Sequence, residues 1–212
     1  MAAARRIPEA TVTRLPLYLR VLNEAAIETS TISSEVLAAR AGVNAAQVRK
    51  DLSHLGSYGT RGVGYEVSYL VREINRRLGL DAERRVAIVG AGNLGQALAS
   101  YGGFPTRGFH VVAAFDADPA KIGSLVGNTT VQPASQMLEV LREKGVDIAL
   151  ITTPASAAQA VADGLVGAGV GCILNFAPVT VTVPKHVALR QVDLGVELQI
   201  LSFYQKRVTA NL

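Results

Sequence analysis

The sequence predicts an α/β protein: an N-terminal winged helix-turn-helix domain, then a C-terminal Rossmann-type parallel-sheet domain with a C-terminal helix. Three observations lead there. A glycine-rich loop, Gly90-Ala91-Gly92-Asn93-Leu94-Gly95, stands between an apolar strand-like run and a helical one. Two short capped helical patterns precede a glycine-rich stretch with the texture of a hairpin. Near Gly79-Leu80-Asp81 the chain changes from mostly helical to short β-rich runs alternating with Ala-rich helical ones, the alternation of a parallel sheet.

The break is marked by Arg76-Arg77-Leu78-Gly79, a basic last turn followed by a glycine stop. The expected units are residues 1–80, residues 81–194, and a closing segment 195–212 whose helix runs from Val196 to Thr209. Charge follows the same division. Residues 1–80 hold 11 Lys and Arg against 7 Asp and Glu, and the remainder hold 10 of each, so the net +4 falls on the first part. That suits a polyanionic partner for the first part only. Hydrophobic residues make up 49% of the chain, ample for packed cores. No apolar run reaches the ~18 residues of a membrane span. The basic stretch Met1 to Arg6 leads into no apolar signal-peptide core. Cys172 is the only cysteine; within Cys172-Ile173-Leu174 it is expected to be a buried structural thiol. Together these features point to a cytoplasmic protein in a reducing compartment.

In the first part, Pro8 suits a first helical turn, and Leu15, Leu19 and Leu22 recur at helical spacing. Pro16 is expected to kink or divide that helix. Ser33 to Gly42 reads as a capped short helix ending at glycine, and Asn44 caps a second over Ala45 to Ser53. Small Ala38 and Gly42 would let the helices cross closely, and Val48 would lock them. Asp51 falls where such a pattern often carries an apolar residue, leaving Leu52 to pack. The second helix presents Gln47, Arg49, Lys50 and Ser53, side chains suited to base edges and phosphates. The run Gly56-Ser57-Tyr58-Gly59-Thr60-Arg61-Gly62-Val63-Gly64-Tyr65 reads as a hairpin wing, with Arg61 at its tip able to enter a narrow minor groove.

In the second part, the strand Val86–Val89 runs into the glycine loop. Gly90 permits the tight turn, Gly92 lets backbone approach a pyrophosphate, and Gly95 lets helix pack on strand. The following helix offers free N–H groups to phosphates. A second strand, Val111–Phe115, ends in Asp116, 21 residues beyond Gly95. A carboxylate there accepts hydrogen bonds from the adenosine ribose and repels a 2′-phosphate, favouring NAD(H) over NADP(H). Strands Ile148–Thr152 and Gly171–Leu174 lead into Thr152-Thr153-Pro154 and Asn175-Phe176-Ala177-Pro178, loops expected to line the ligand crevice. Thr153, Pro154, Asn175 and Phe176 are therefore candidate contacts. His54, His110 and His186 offer no acid–base constellation on a crevice loop, and no residues have metal-ligand spacing. The site reads as binding without catalysis. Two alternatives stay open. An NAD-dependent dehydrogenase with an N-terminal helical cap would need a proton-transfer group such as Tyr101, which lacks a Lys four residues on. A coenzyme A-binding regulator would not require Asp116.

Taken together, Ile7 to Thr11 with Arg14 to Tyr18, Gln47 to Ser53, Gly56 to Tyr65, the Gly90–Gly95 loop, Phe115-Asp116 and Ile173 to Pro178 resemble the Rex family of redox-sensing transcriptional repressors. The resemblance covers nearly the whole chain, and Gln47 to Tyr65 is its most specific part. It implies a homodimer that exchanges its C-terminal helix, binds double-stranded operator DNA as an inverted repeat, and represses respiratory and fermentative genes. It further implies release when NADH binds, so that the NADH/NAD+ ratio sets transcription. By position it assigns Arg49, Lys50, Ser53, Tyr58 and Arg61 to DNA, and Gly92, Asn93, Leu94, Tyr101 and Asp116 to the cofactor. Asn93 stands where some relatives carry a basic residue. Arg20 and Asp193 are implied as an interdomain pair that reorganises between ligand states.

Overall fold

The computed structural model describes residues 7–56, 59, 60 and 62–210, with side chains up to 205. The chain folds as two compact units, Met1–Ala82 and Glu83–Leu212.

The first unit runs α1 (Glu9–Ala25), β1 (Thr31–Ile32), α2 (Ser34–Ala41), α3 (Ala45–His54), β2 (Tyr65–Glu66) and α4 (Val67–Leu78). Pro16 does not divide α1, which is continuous from Glu9 to Ala25. Leu15, Tyr18, Val21 and Leu22 anchor both halves in the core, while Pro16 and Val12, whose carbonyl loses its partner, face solvent. The Ser33 hydroxyl caps α2 by accepting from Val36 N–H, and Asn44 Oδ1 caps α3 by accepting from Gln47 N–H at 2.8 Å. Ala38 and Val48 are buried between these helices. Gly42 is not there for close crossing, since a Cβ would meet nothing within 4 Å; its φ of +70° is what selects glycine. β1 and β2 pair antiparallel, with Ile32 opposite Tyr65. Beyond them Thr60 bridges Gly64 to begin the wing. A Cβ on Gly64 would lie 2.5 Å from the Ile32 carbonyl, so only glycine lets the wing approach β1. Ser57, Tyr58 and Arg61 lie outside the described residues.

The second unit is a seven-stranded sheet. In chain order it comprises β3 (Arg84–Val89), α5 (Asn93–Ala99), β4 (Phe109–Asp116), β5 (Leu125–Val126), β6 (Thr129–Pro133), α6 (Met137–Lys144), β7 (Ile148–Ile151), α7 (Ala155–Gly167), β8 (Cys172–Asn175), β9 (Ala188–Gln191) and α8 (Leu194–Ala210). The spatial order is β5-β6-β4-β3-β7-β8-β9, parallel except for the β5–β6 pair. The order reverses between β3 and β7, which places a ligand crevice at their carboxyl ends. β5, β6 and β9 had no sequence forecast. They are short elements of mixed polarity at or next to the sheet edges, and sheet pairing rather than local pattern makes them strands.

One face of the sheet packs Ala87, Val89, Phe115, Ile151 and Ile173 beneath Leu141 of α6 and Ala158, Ala162 and Leu165 of α7. The other carries Val86, Ile88 and Leu150. It leaves an apolar groove of about 270 Å³ lined by Val86, Phe104, Arg107, Phe109, Ile148, Leu150 and Leu174. Cys172 is exposed, against expectation, because it opens β8 on the Leu174 side at the strand's amino end. α8 begins after Asp193, whose carboxylate accepts from Gly195 N–H at 2.9 Å. Along α8, Leu194, Val196, Leu198, Ile200, Leu201, Phe203 and Tyr204 are all exposed. Among the described residues no helix is long and apolar enough to cross a membrane.

Candidate nucleotide site and nucleic-acid interface

The carboxyl ends of β3, β4, β7 and β8 are stitched together around the glycine loop. Gly90 N–H donates to Phe115 O at 2.8 Å, Thr152 N–H to Val89 O at 2.9 Å, and Phe176 N–H to Ile151 O at 2.8 Å. The Thr152 hydroxyl donates to the Gly90 carbonyl at 2.7 Å. Thr152 thus acts as a strut under the loop, a role its place before Thr153-Pro154 did not announce. Gly90 has φ of +109°, and a Cβ there would lie 2.7 Å from the Thr152 backbone. A Cβ on Gly95 would lie 1.9 Å from Gly90 O, so the helix can seat against the turn only without one.

Gly92 differs from both. Its φ is −77°, which any residue adopts, and a Cβ there would meet nothing within 4 Å. Neither backbone strain nor packing among the described residues requires glycine, and the space in front of it is open. Beside the loop, Thr153 Oγ1 is buried without a hydrogen-bond partner among the described residues. An open cradle and an orphaned buried hydroxyl at the end of a parallel sheet fit a bound pyrophosphate and its neighbours. Asn93 and Leu94 are exposed on the first turn of α5, and exposed Pro154 precedes α7.

Asp116 is organised toward the same loop. Its Oδ2 accepts Ala91 N–H at 2.7 Å and Lys121 Nζ at 3.2 Å; its Oδ1 accepts Asp118 N–H at 2.8 Å. Partial burial pushes its pKa up, but the two N–H donors and the ammonium outweigh this and hold it below the usual carboxylate range. Asn175, a candidate contact on this crevice loop, has its side chain engaged within the protein. It is fully buried, donating to Val179 O at 2.8 Å and Gln191 Oε1 at 2.7 Å and accepting Ala177 N–H at 2.9 Å. It shapes the Phe176–Pro178 loop rather than reaching out of it. Phe176 packs partly on the Val86–Leu150 face. Tyr101 is exposed, edge-on to Phe104 at 5.2 Å, its ring folded over Gly103. His110 has a carboxylate neighbour, Glu83 at 3.5 Å, but at the amino end of β4, away from the crevice. Among the described residues no three His, Cys, Asp or Glu side chains group as a metal site.

In the first unit, α3 exposes Arg49 and Lys50. Arg49 Nη1 donates to Ser34 Oγ at 2.9 Å and Glu35 Oε1 at 3.1 Å, which props it against the first turn of α2. The Ser53 hydroxyl donates to Lys50 O at 2.7 Å. Gln47, expected to face bases, turns its amide nitrogen to Asp51 Oδ1 at 2.9 Å. Asp51 is itself fully buried, alongside Leu52. It accepts from Thr11, Arg14, Tyr18 and Gln47, so the supposed mismatch in the helix-turn-helix pattern is an ionic tie between α1 and α3.

A winged helix-turn-helix unit carrying the net positive charge, joined to a dinucleotide-type Rossmann unit, defines a ligand-responsive DNA-binding regulator. Residues 6–53 match the family described as putative DNA-binding protein N-terminus, and residues 81–179 match the CoA binding domain. The redox-sensing transcriptional repressor Rex of Streptomyces griseus is 58% identical over 206 residues, 96% of this chain and 81% of its own. The chain therefore belongs to the Rex family of redox-sensing transcriptional repressors, whose curated relatives are named as repressors rather than enzymes. Among solved structures, it is similar to RSP, a Rex-family repressor, in complex with β-NAD+ and operator DNA. The TM-score is 0.90 at 35% identity, covering 97% of this chain and 95% of that one. RSP in complex with β-NADH gives a TM-score of 0.86 at 34% identity, covering 96% of each.

Proposed function

We propose that this chain is a cytoplasmic homodimeric repressor that binds an inverted-repeat operator through its first unit and releases it when NADH occupies the Gly90–Asp116 site. The observation that carries the reading is the open cradle at Gly92 beside the orphaned Thr153 hydroxyl, with Asp116 turned to the same loop. Coenzyme A fits this arrangement less well, because its 3′-phosphate would meet the Asp116 carboxylate. NADH and NAD+ share their adenosine and pyrophosphate, so discrimination arises at the nicotinamide, near Tyr101 and the Asn175–Pro178 loop. Two neutral rings can share an apolar cleft of the dimer, whereas two cations would meet both desolvation and repulsion. NADH then favours the state it binds better, one that no longer matches the half-site spacing.

The exposed apolar residues of α8 and the apolar groove beside β8 support exchange of this helix between protomers. Residues 1–80, 81–194 and 195–212 would then be the reader, the sensor and the exchanged helix. Arg20 is exposed on α1 and Asp193 caps α8; as a switch pair they would link ligand state to the reader. Gln47, Arg49, Lys50, Ser53, Tyr58 and Arg61 are proposed DNA contacts, Gln47 through the part of its amide that Asp51 leaves open.

The test is a titration of the operator complex with NADH, NAD+ and NADPH at fixed salt, repeated for Arg49→Ala, Lys50→Ala and Asp193→Ala. NADH alone should release DNA at low concentration. The α3 variants should lose operator binding while keeping NADH affinity, and Asp193→Ala should shift release more than NADH binding. Release by NAD+ as readily as by NADH would remove the nicotinamide mechanism.

A further inference from the structure

A carboxylate offers about four lone-pair sites. Three are already taken at Asp116, by Asp118 N–H on Oδ1 and by Ala91 N–H and Lys121 Nζ on Oδ2. One acceptor site remains, on Oδ1. The adenosine ribose of a dinucleotide presents two neighbouring hydroxyls, so Asp116 can accept from one of them and the other needs a different partner.

Lys121 is placed to supply it. Its Nζ lies 3.2 Å from Asp116 Oδ2 and 3.9 Å from Asp118 Oδ2, and an ammonium has three donors. The side chain is 36% exposed, so a donor can still face an incoming ligand. Its backbone is held in a closed turn: Lys121 N–H donates to Asp118 O at 3.0 Å, and Lys121 O accepts the Ser124 hydroxyl at 2.6 Å. The turn therefore keeps the lysine backbone within reach of the carboxylate.

We propose that Lys121 is a second specificity-determining residue of the adenosine subsite, donating to one ribose hydroxyl while Asp116 accepts from the other. The proposal rests on the dinucleotide reading above. The subsite is then an ion pair rather than a bare negative charge, and selectivity against a 2′-phosphate depends on which partner prevails. With Asp116 ionised, a 2′-phosphate meets a carboxylate whose ammonium is already engaged. Without that charge, Lys121 is released to bind the phosphate.

Calorimetric titration of the full chain with NADH and NADPH tests this on wild type, Lys121→Met, Lys121→Arg, Asp116→Asn and the Asp116→Asn, Lys121→Met double variant. Loss of one hydrogen bond in Lys121→Met should weaken NADH about threefold to tenfold. NADPH should weaken further, so preference for NADH widens, and Lys121→Arg should stay near wild type. Asp116→Asn should gain NADPH binding, and the double variant should lose that gain. Lys121→Met and Lys121→Arg alter no buried group, so they decide the matter even if Asp116→Asn fails to fold. Lys121→Met binding both dinucleotides as wild type does would overturn the role of Lys121 alone. Wild type binding neither would overturn the nucleotide reading, and Lys121 with it.

Discussion

Arg14 grips Asp51 through two hydrogen bonds, Nε to Oδ2 at 2.6 Å and Nη2 to Oδ1 at 2.9 Å, tying α1 to the helix that presents Arg49 and Lys50. The carboxylate is fully buried. Burial pushes its pKa up, but hydrogen bonds from Arg14, Tyr18, Thr11 and Gln47 outweigh that and hold it at about 2. The same cluster raises its partners: Arg14 chiefly through the hydrogen bond to Asp51, Tyr18 chiefly through burial.

Acid should therefore loosen the first unit. With a folded pKa of about 2 against an ordinary 3.8, Asp51 contributes stability that is complete above pH 4 and is lost as pH falls toward 2. The contribution is on the order of 2 kcal/mol at neutral pH. Asp51→Ala should cost about 3–5 kcal/mol, since Arg14 and Tyr18 keep their polar groups and lose the acceptor. Urea unfolding from pH 6 to pH 2 checks both statements. Wild-type and Asp51→Ala stabilities that ran parallel through this window would show that Asp51 is not the titrating group.

Gly92 and Gly95 sit in one loop but should respond differently to alanine. Gly95→Ala places a Cβ 1.9 Å from the Gly90 carbonyl and should lower the melting temperature of the second unit and abolish NADH binding. Gly92→Ala meets nothing within 4 Å, so its stability should match wild type within about 0.5 kcal/mol while NADH binding is lost. Thermal melts paired with NADH fluorescence titrations separate the two. Wild-type NADH affinity in Gly92→Ala would move the pyrophosphate away from this loop.

The apolar side chains of α8 should hold protomers together. Leu201 and Phe203 are 60% and 59% exposed in the single chain, and burying each is worth roughly 1.5–3 kcal/mol. A Leu201→Asp, Phe203→Asp double variant should shift the mass measured by light scattering from dimer to monomer. An unchanged mass would place the dimer contact elsewhere.

Sequence by itself determined the elements whose causes are local. Ser33 and Asn44 cap helices through N–H groups three residues away, and Gly95 answers to the Gly90 carbonyl of its own turn. Apolar runs mark the central strands because burial on both faces leaves no polar alternation. Tertiary structure alone decided what depends on distant partners. Asp51 looks like a misfit in its own helix, because the groups that satisfy it, Thr11, Arg14 and Tyr18, lie 33 to 40 residues earlier. Asn175 stands on a crevice loop, and only the fold shows that Gln191 and the Val179 carbonyl take its amide. Cys172 sits in an apolar run yet faces outward, since strand alternation sets its side and the strand's start sets its exposure. Lys121 carries no motif and matters only because the turn after β4 folds it back onto Asp116. Hydrogen-bond partners and burial are properties of packed elements, and no window of neighbouring residues contains them.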